Sequence, residues 1–141
     1  MNSYKEVTQY LFSQFPQYQN IGKKAYKADL TNIQKLVALL DYPEKKLNCV
    51  HVAGTNGKGS VSHLMASILQ EAGYKVGIFT SPHLVDFKER IKINGETIDE
   101  TFIVNFVVKN KATFEKIGIS FFEWTTALAF CYFENQKTEV C

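Results

Sequence analysis

Three features of the 141-residue chain predict an α/β protein with a doubly wound, three-layer, mainly parallel sheet and a mononucleotide-binding turn. Residues 47–53 form a short apolar run with two valines, the pattern of a buried strand. A glycine-rich turn follows, after which Val61, Leu64, Met65, Ile68, Leu69 and Ala72 recur at helical spacing. Residues 76–79 make a second apolar run, and a strand–helix–strand unit of this kind implies a parallel crossover.

The other elements read as follows. Ser3-Tyr-Lys-Glu6 is a capping-box pattern, with Val7, Leu11, Phe12 and Phe15 at helical spacing until Pro16 ends the helix. Residues 17–28 are polar, aromatic and basic, which predicts an irregular surface loop. A second helix starts at a cap, Asp29 or Thr31, carries Ile33, Leu36, Val37 and Leu40, and is stopped by Asp41-Tyr42-Pro43. Gly73 is placed to close the helix after the glycine turn as a C′ residue. Asn94-Gly95, in the middle of residues 91–98, signals a hairpin. Residues 97–100 open a helix with Phe102, Ile103, Phe106 and Val107. A last helix over 123–134 has Trp124, Ala127, Leu128 and Cys131 as its core stripe. Residues 138–141 look like the start of a third parallel strand, so the sequence reads as a fragment cut inside a domain.

Composition is that of an ordinary globular domain, and a net charge of +2 gives no electrostatic case for nucleic acid or a membrane surface. No run has the length of a transmembrane helix and no signal-peptide core is present, so a cytoplasmic location is expected. Cys49, Cys131 and Cys141 are odd in number and set in apolar sequence, the pattern of buried free thiols.

The chemistry concentrates in the turn. Residues 51–60 read His-Val-Ala-Gly-Thr-Asn-Gly-Lys-Gly-Ser. Glycines let successive N–H groups converge on an anion, and the N-terminus of the following helix adds positive potential. Gly54, Thr55, Asn56, Gly57, Lys58, Gly59 and Ser60 are the candidate phosphate-binding residues, with Lys58 on the β- and γ-phosphates and Ser60 within reach of a magnesium ion. The spacing Gly-x-x-Gly-Lys-Gly-Ser is tighter than the usual phosphate loop. A plain turn needs neither the lysine nor the serine. Residues 80–84, Thr-Ser-Pro-His-Leu, leave the carboxyl end of the second strand, where open α/β sheets place their ligands. Of the histidines, His51 reads as a hydrogen-bonded structural residue, His63 as solvated, and His83 as a loop residue able to touch substrate.

The turn, Thr80-Ser-Pro-His-Leu84, Glu89-Arg-Ile-Lys-Ile-Asn-Gly95 and Phe121-Phe-Glu-Trp-Thr-Thr-Ala-Leu-Ala129 together resemble the folylpolyglutamate synthase/dihydrofolate synthase family of Mur-ligase-like amide ligases. The resemblance implies the Mur-ligase central-domain fold. Residues 1–141 would then be the N-terminal part of the ATP-binding domain, with the C-terminal glutamate-binding domain absent. It further implies ATP and Mg²⁺ as cofactors, and folate or dihydropteroate and L-glutamate as substrates. A carboxylate would be phosphorylated to an acyl phosphate that the glutamate amine attacks. By motif position Ser81 would ligate magnesium with Ser60, or be a simple turn residue. Pro82, His83 and Arg90 would lie in a loop over the pterin, and Ser120, Phe121, Phe122 and Glu123 would line the pteroate pocket. Core packing accounts equally well for Phe121 and Phe122. The family's glutamate ligand to magnesium would follow Cys141, so Glu139 does not take that role.

The parent is expected to be monomeric, whereas an unpaired sheet edge predicts self-association of the isolated chain. Another Mur-type ligase, or a truncated nucleotide-binding fragment without activity, are the competing readings.

Overall fold

In a computed structural model, residues 1–14 and 30–141 are described. The expected end of the first helix at Pro16 and the loop over 17–28 lie outside them, as does Asp29. The chain forms two compact units, Met1–Asp41 with Glu100–Leu128, and Tyr42–Asp99 with Ala129–Cys141.

The first unit is helical. Helix α1 spans Tyr4–Gln14 and begins with half of the expected capping box: the Glu6 amide donates to Ser3 Oγ at 3.3 Å, while Glu6 Oε2 accepts the Asn2 amide at 2.9 Å. Helix α2, Thr31–Leu39, has Leu30 at its N-cap without a side-chain cap. Left-handed Asp41 and Tyr42 and then Pro43 end it, as expected. Helix α4, Glu100–Ile117, buries Ile103, Phe106, Val107 and Phe114, and both α1 and α2 pack on it. Helix α5, Phe121–Asn135, starts two residues before its expected position because Ser120 and Glu123 form a capping box. The Ser120 amide donates to Glu123 Oε2 at 2.7 Å, and the Glu123 amide to Ser120 Oγ at 3.2 Å. Trp124, 1% exposed, is the centre of the unit, with its ring 4.6 Å from that of Phe114 and 5.6 Å from that of Phe106. Both pairs meet edge-to-face, the arrangement the ring quadrupoles favour.

The second unit carries the glycine turn. Helix α3 is Lys58–Glu71, and the Gly73 expectation holds. Gly73 has φ 91°, its N–H donates to the Gln70 carbonyl and the Tyr74 N–H to the Leu69 carbonyl, which is a Schellman closure. The hairpin is also where the sequence puts it. Strands β2 (Ile91–Ile93) and β3 (Glu96–Thr97) are joined by Asn94 and Gly95 at φ 48° and 85°, the positive pair of a type I′ turn.

The sheet differs from expectation. Strand β1 is Gly77–Phe79 and pairs antiparallel with β2, giving the order β1-β2-β3 with both pairings antiparallel. Parallel contact occurs at one bridge, Val76 to Val140, so residues 138–141 do enter beside β1. On its other side Cys141 donates to the Asn48 carbonyl at 2.9 Å and accepts from the Val50 amide at 2.8 Å. The run over 47–53 is therefore held to the rest of the unit through Cys141, yet it forms no strand and Val50 is exposed. The two apolar runs joined by the predicted crossover are not neighbours, because residues 140 and 141 lie between them.

The apolar stripe of α3 is a second correction. Val61, Leu64 and Ile68 are 45, 65 and 69% exposed, and only Ala66, with Leu69 partly buried, joins Val76 and Ile78 in a small core. Periodicity identifies an apolar face without identifying its cover.

Candidate phosphate and folate site

The turn after residue 53 is open and exposed. Gly57 is the N-cap of α3 at φ 77°, ψ −1°, a left-handed conformation that glycine adopts without a Cβ penalty. Among the described residues no acceptor takes the amide protons of Thr55, Asn56, Gly57, Lys58, Gly59 or Ser60, so six consecutive N–H groups at a helix N-terminus remain for a ligand. Lys58 folds back over the turn, its Nζ donating to the Gly54 carbonyl at 2.7 Å and the Thr55 carbonyl at 3.2 Å. The ammonium is thereby parked on the loop that would hold the phosphates. Ser60, in the first turn of α3, is exposed, and its hydroxyl makes no hydrogen bond among the described residues.

His63 lies on the same helix and is exposed as expected, with Nδ1 2.8 Å from the Gly59 carbonyl. His51 departs from its expected structural role. It is exposed and has no hydrogen bond among the described residues.

The loop leaving β1 begins with Ser81 and a cis Ser81–Pro82 peptide bond. Ser81 and Pro82 are exposed, while His83 and Arg90 are joined, Arg90 Nε donating to His83 Nδ1 at 2.7 Å. That bond requires a neutral His83 with its proton on Nε2. Burial lowers the His83 pKa, and the Arg90 charge lowers it further, against smaller opposing effects of Glu89 and Asp86. Arg90 is itself buried, which lowers its own pKa.

A residue without an assigned sequence role organises this loop. Glu89 Oε2 accepts the Leu84 amide at 2.8 Å, and Oε1 accepts those of Val85 and Asp86 at 3.0 and 2.8 Å. The bonds to Leu84 and Asp86 lead in holding its pKa below the usual carboxylate value. The Lys88 amide completes the motif by donating to Asp86 Oδ1 at 2.8 Å, capping the 3₁₀ turn Phe87–Arg90. Its signal in the sequence is Asp86-x-x-Glu89, a capping-box spacing.

The remaining expected residues belong to the first unit. Ser120 and Glu123 bond each other as the α5 cap, Phe121 stacks at 5.6 Å on Phe12, and Phe122 is 57% exposed. Phe121 is thus half-buried packing, and Phe122 is the ring that remains accessible. A depression of about 330 Å³ in the second unit is lined by Lys75, Asn94, Glu96, Tyr132 and Gln136 among others, and by none of the expected site residues.

No protein-family model matches the chain. It is 44% identical over 117 residues to the dihydrofolate synthase/folylpolyglutamate synthase of Bacillus subtilis, covering 79% of this chain and 27% of that protein. It superposes on the crystal structure of folylpolyglutamate synthase from Thermotoga maritima with a TM-score of 0.84 and 34% identity, over 97% of this chain and 31% of that one. The chain belongs to the folylpolyglutamate synthase/dihydrofolate synthase family. Its fold is accordingly Mur-ligase-like. An FPGS–AMPPCP–folate complex matches equally well, at a TM-score of 0.84 and 35% identity over 99% of this chain and 34% of that one. The chain thus spans about a third of the length of the family members it matches. Among the described residues no helix is long and apolar enough to cross a membrane.

Proposed function

We propose that the chain carries the ATP-phosphate loop and part of the folate site of an ATP-dependent ligase that joins L-glutamate to a folate or dihydropteroate carboxylate. The observation that carries this reading is the open turn, with six amides free at the head of α3 and the Lys58 ammonium on the Gly54 carbonyl. A carboxylate is inert toward an amine until one of its oxygens becomes a leaving group. Phosphorylation makes it one. The amides of residues 55–60 bind the phosphate chain, and Lys58 swings from the loop carbonyls onto the transferring phosphoryl, where a positioned cation stabilises the developing charge.

The groups this chain offers a magnesium ion are the Ser60 and Ser81 hydroxyls, both in the second unit, exposed and without hydrogen bonds among the described residues. These are hard oxygen donors of the kind Mg²⁺ takes beside phosphate oxygens and waters. The ion, when bound, neutralises phosphate charge. No group of three or more His, Cys, Asp or Glu side chains among the described residues is placed to hold a metal. We expect no ligase turnover from residues 1–141 alone.

Each unit offers its own residues to a folate: in the second, Pro82, neutral His83 and Arg90 of the loop after β1, and in the first, exposed Phe122, a ring able to stack on a pterin, with Ser120, Phe121 and Glu123 beside it in sequence.

The test is titration of an ATP analogue into the 141-residue chain and into Lys58→Ala, paired with turnover of the complete enzyme carrying the same change. Lys58→Ala is expected to cut turnover by about 10²-fold or more while leaving circular dichroism unchanged. Near-full turnover would remove Lys58 from the phosphoryl-transfer site.

A further inference from the structure

We propose that Cys49 and Cys141 are a redox-sensitive thiol pair that closes reversibly to a disulfide. The sequence suggests buried, inert thiols, but Cys49 is exposed and Cys141 only half-buried, with their Sγ atoms 3.1 Å apart. The backbone explains the closeness. Cys141 donates to the carbonyl before Cys49 and accepts from the amide after it, the bond pattern that sets two residues side by side in a parallel pairing. Neighbouring strands lie about 4.8 Å apart, inside the Cα separation of roughly 4.4–6.8 Å that a disulfide spans. Closing the sulfurs to a bond of about 2.05 Å thus needs side-chain rotation of the order of 1 Å, with no change of pairing.

The two thiols differ in a way that orders the chemistry. Burial, reinforced by the neighbouring Cys49 thiol, pushes the Cys141 pKa up and keeps it protonated, whereas Cys49 faces solvent. Hydrogen peroxide therefore meets Cys49 first. The Cys49 thiolate attacks one peroxide oxygen, the O–O bond breaks, and hydroxide leaves, giving a sulfenic acid. Cys141 sulfur then attacks the Cys49 sulfur, the S–O bond breaks, and the departing hydroxide takes the Cys141 proton. The sum is two thiols and one peroxide giving one disulfide and two waters. The bond would fix the residues that lead into the glycine turn to Val140 and Cys141. This pairing is independent of the ligase reading.

The experiment treats the native 141-residue chain with hydrogen peroxide, alkylates under denaturing conditions and maps the peptides by mass spectrometry. The expected result is loss of two of the three alkylatable thiols, a cross-link joining the Cys49 and Cys141 peptides, Cys131 still alkylated, and full reversal by dithiothreitol. In denaturant loop closure favours the short Cys131–Cys141 pairing, so a Cys49–Cys141 preference in the native chain comes from the fold. Cys131→Ser keeps the cross-link, and Cys49→Ser abolishes it and leaves Cys141 alkylatable. If Cys49→Ser fails to fold by circular dichroism, Cys131→Ser decides. Over-oxidised Cys49 beside alkylated Cys141, or equal amounts of pairs involving Cys131 in the native chain, would overturn the proposal.

Discussion

Rings fill the core of the first unit, whereas the second joins an apolar core to side chains and carbonyls that hold loop amides. Trp124, Phe106 and Phe114 interlock under α1, α2 and α4, and even the polar contact there rests on an aromatic residue. Tyr10 donates to Glu115 Oε1 at 2.8 Å while Lys111 lies over its ring, and burial together with that carboxylate raises the Tyr10 pKa. In the second unit the buried apolar cluster beside α3 is small, Phe87, Ile91, Ile98 and Phe133 are buried elsewhere in it, and backbone amides add order: three on Glu89, those of Val50 and Cys141 that tie residues 48–50 to Cys141, and a Schellman closure at Gly73. The difference teaches where chemistry can reside. The second unit keeps a run of amides and the Ser60 hydroxyl at the glycine turn, and the Ser81 hydroxyl in the loop after β1, uncommitted among the described residues.

Four perturbations probe that contrast, in order of falling effect. Trp124→Ala removes the centre of the first unit, and a loss of about 3–5 kcal/mol in denaturant unfolding is expected. The buried indole N–H has no hydrogen-bond partner among the described residues, so ring packing is the interaction at stake. A loss below about 1 kcal/mol would break the comparison.

Gly77→Ala tests the tightest place in the second unit, where an added Cβ meets the Phe133 ring at 2.7 Å. Overpacking of that kind costs about 1–3 kcal/mol. Unchanged stability would mean that Phe133 moves freely and that the unit lacks even this rigid contact.

Gly59→Ala separates fold from function. A Cβ there meets nothing within 4 Å, and alanine in a helix is favoured over glycine by roughly 0.5–1 kcal/mol. The chain should be slightly stabilised, yet ATP-analogue affinity should fall if the backbone must approach phosphate closely. Equal affinity in a calorimetric titration would place the phosphates away from Gly59.

The smallest effect is expected from pH. The His83 pKa is depressed in the folded chain, so the Arg90–His83 bond contributes its stability above the unfolded value of about 6.5 and loses it as pH falls through the lower folded value. Stability measured between pH 7 and 5 should therefore decline, and His83→Gln should flatten that decline. A profile identical in the variant would exclude His83 as its source.

Local rules made much of this molecule legible. Asn94-Gly95 dictated the hairpin because both residues readily take the positive φ of a type I′ turn, Gly73 closed its helix, Asp41-Tyr42-Pro43 ended another, and Gly57-Lys58 marked the head of α3. Each depends on neighbours a few residues apart, which is why the sequence by itself determined them, along with the family motifs. Tertiary structure decided what partner each surface received. No local pattern revealed that residues 140 and 141 would enter between the two apolar runs, that the α3 stripe would lie open, or that Cys49 would meet Cys141 across 92 positions of chain. Periodicity fixes which side of an element is apolar, but pairing is settled by long-range backbone hydrogen bonds. Those depend on which segment arrives, and no window of sequence contains both partners.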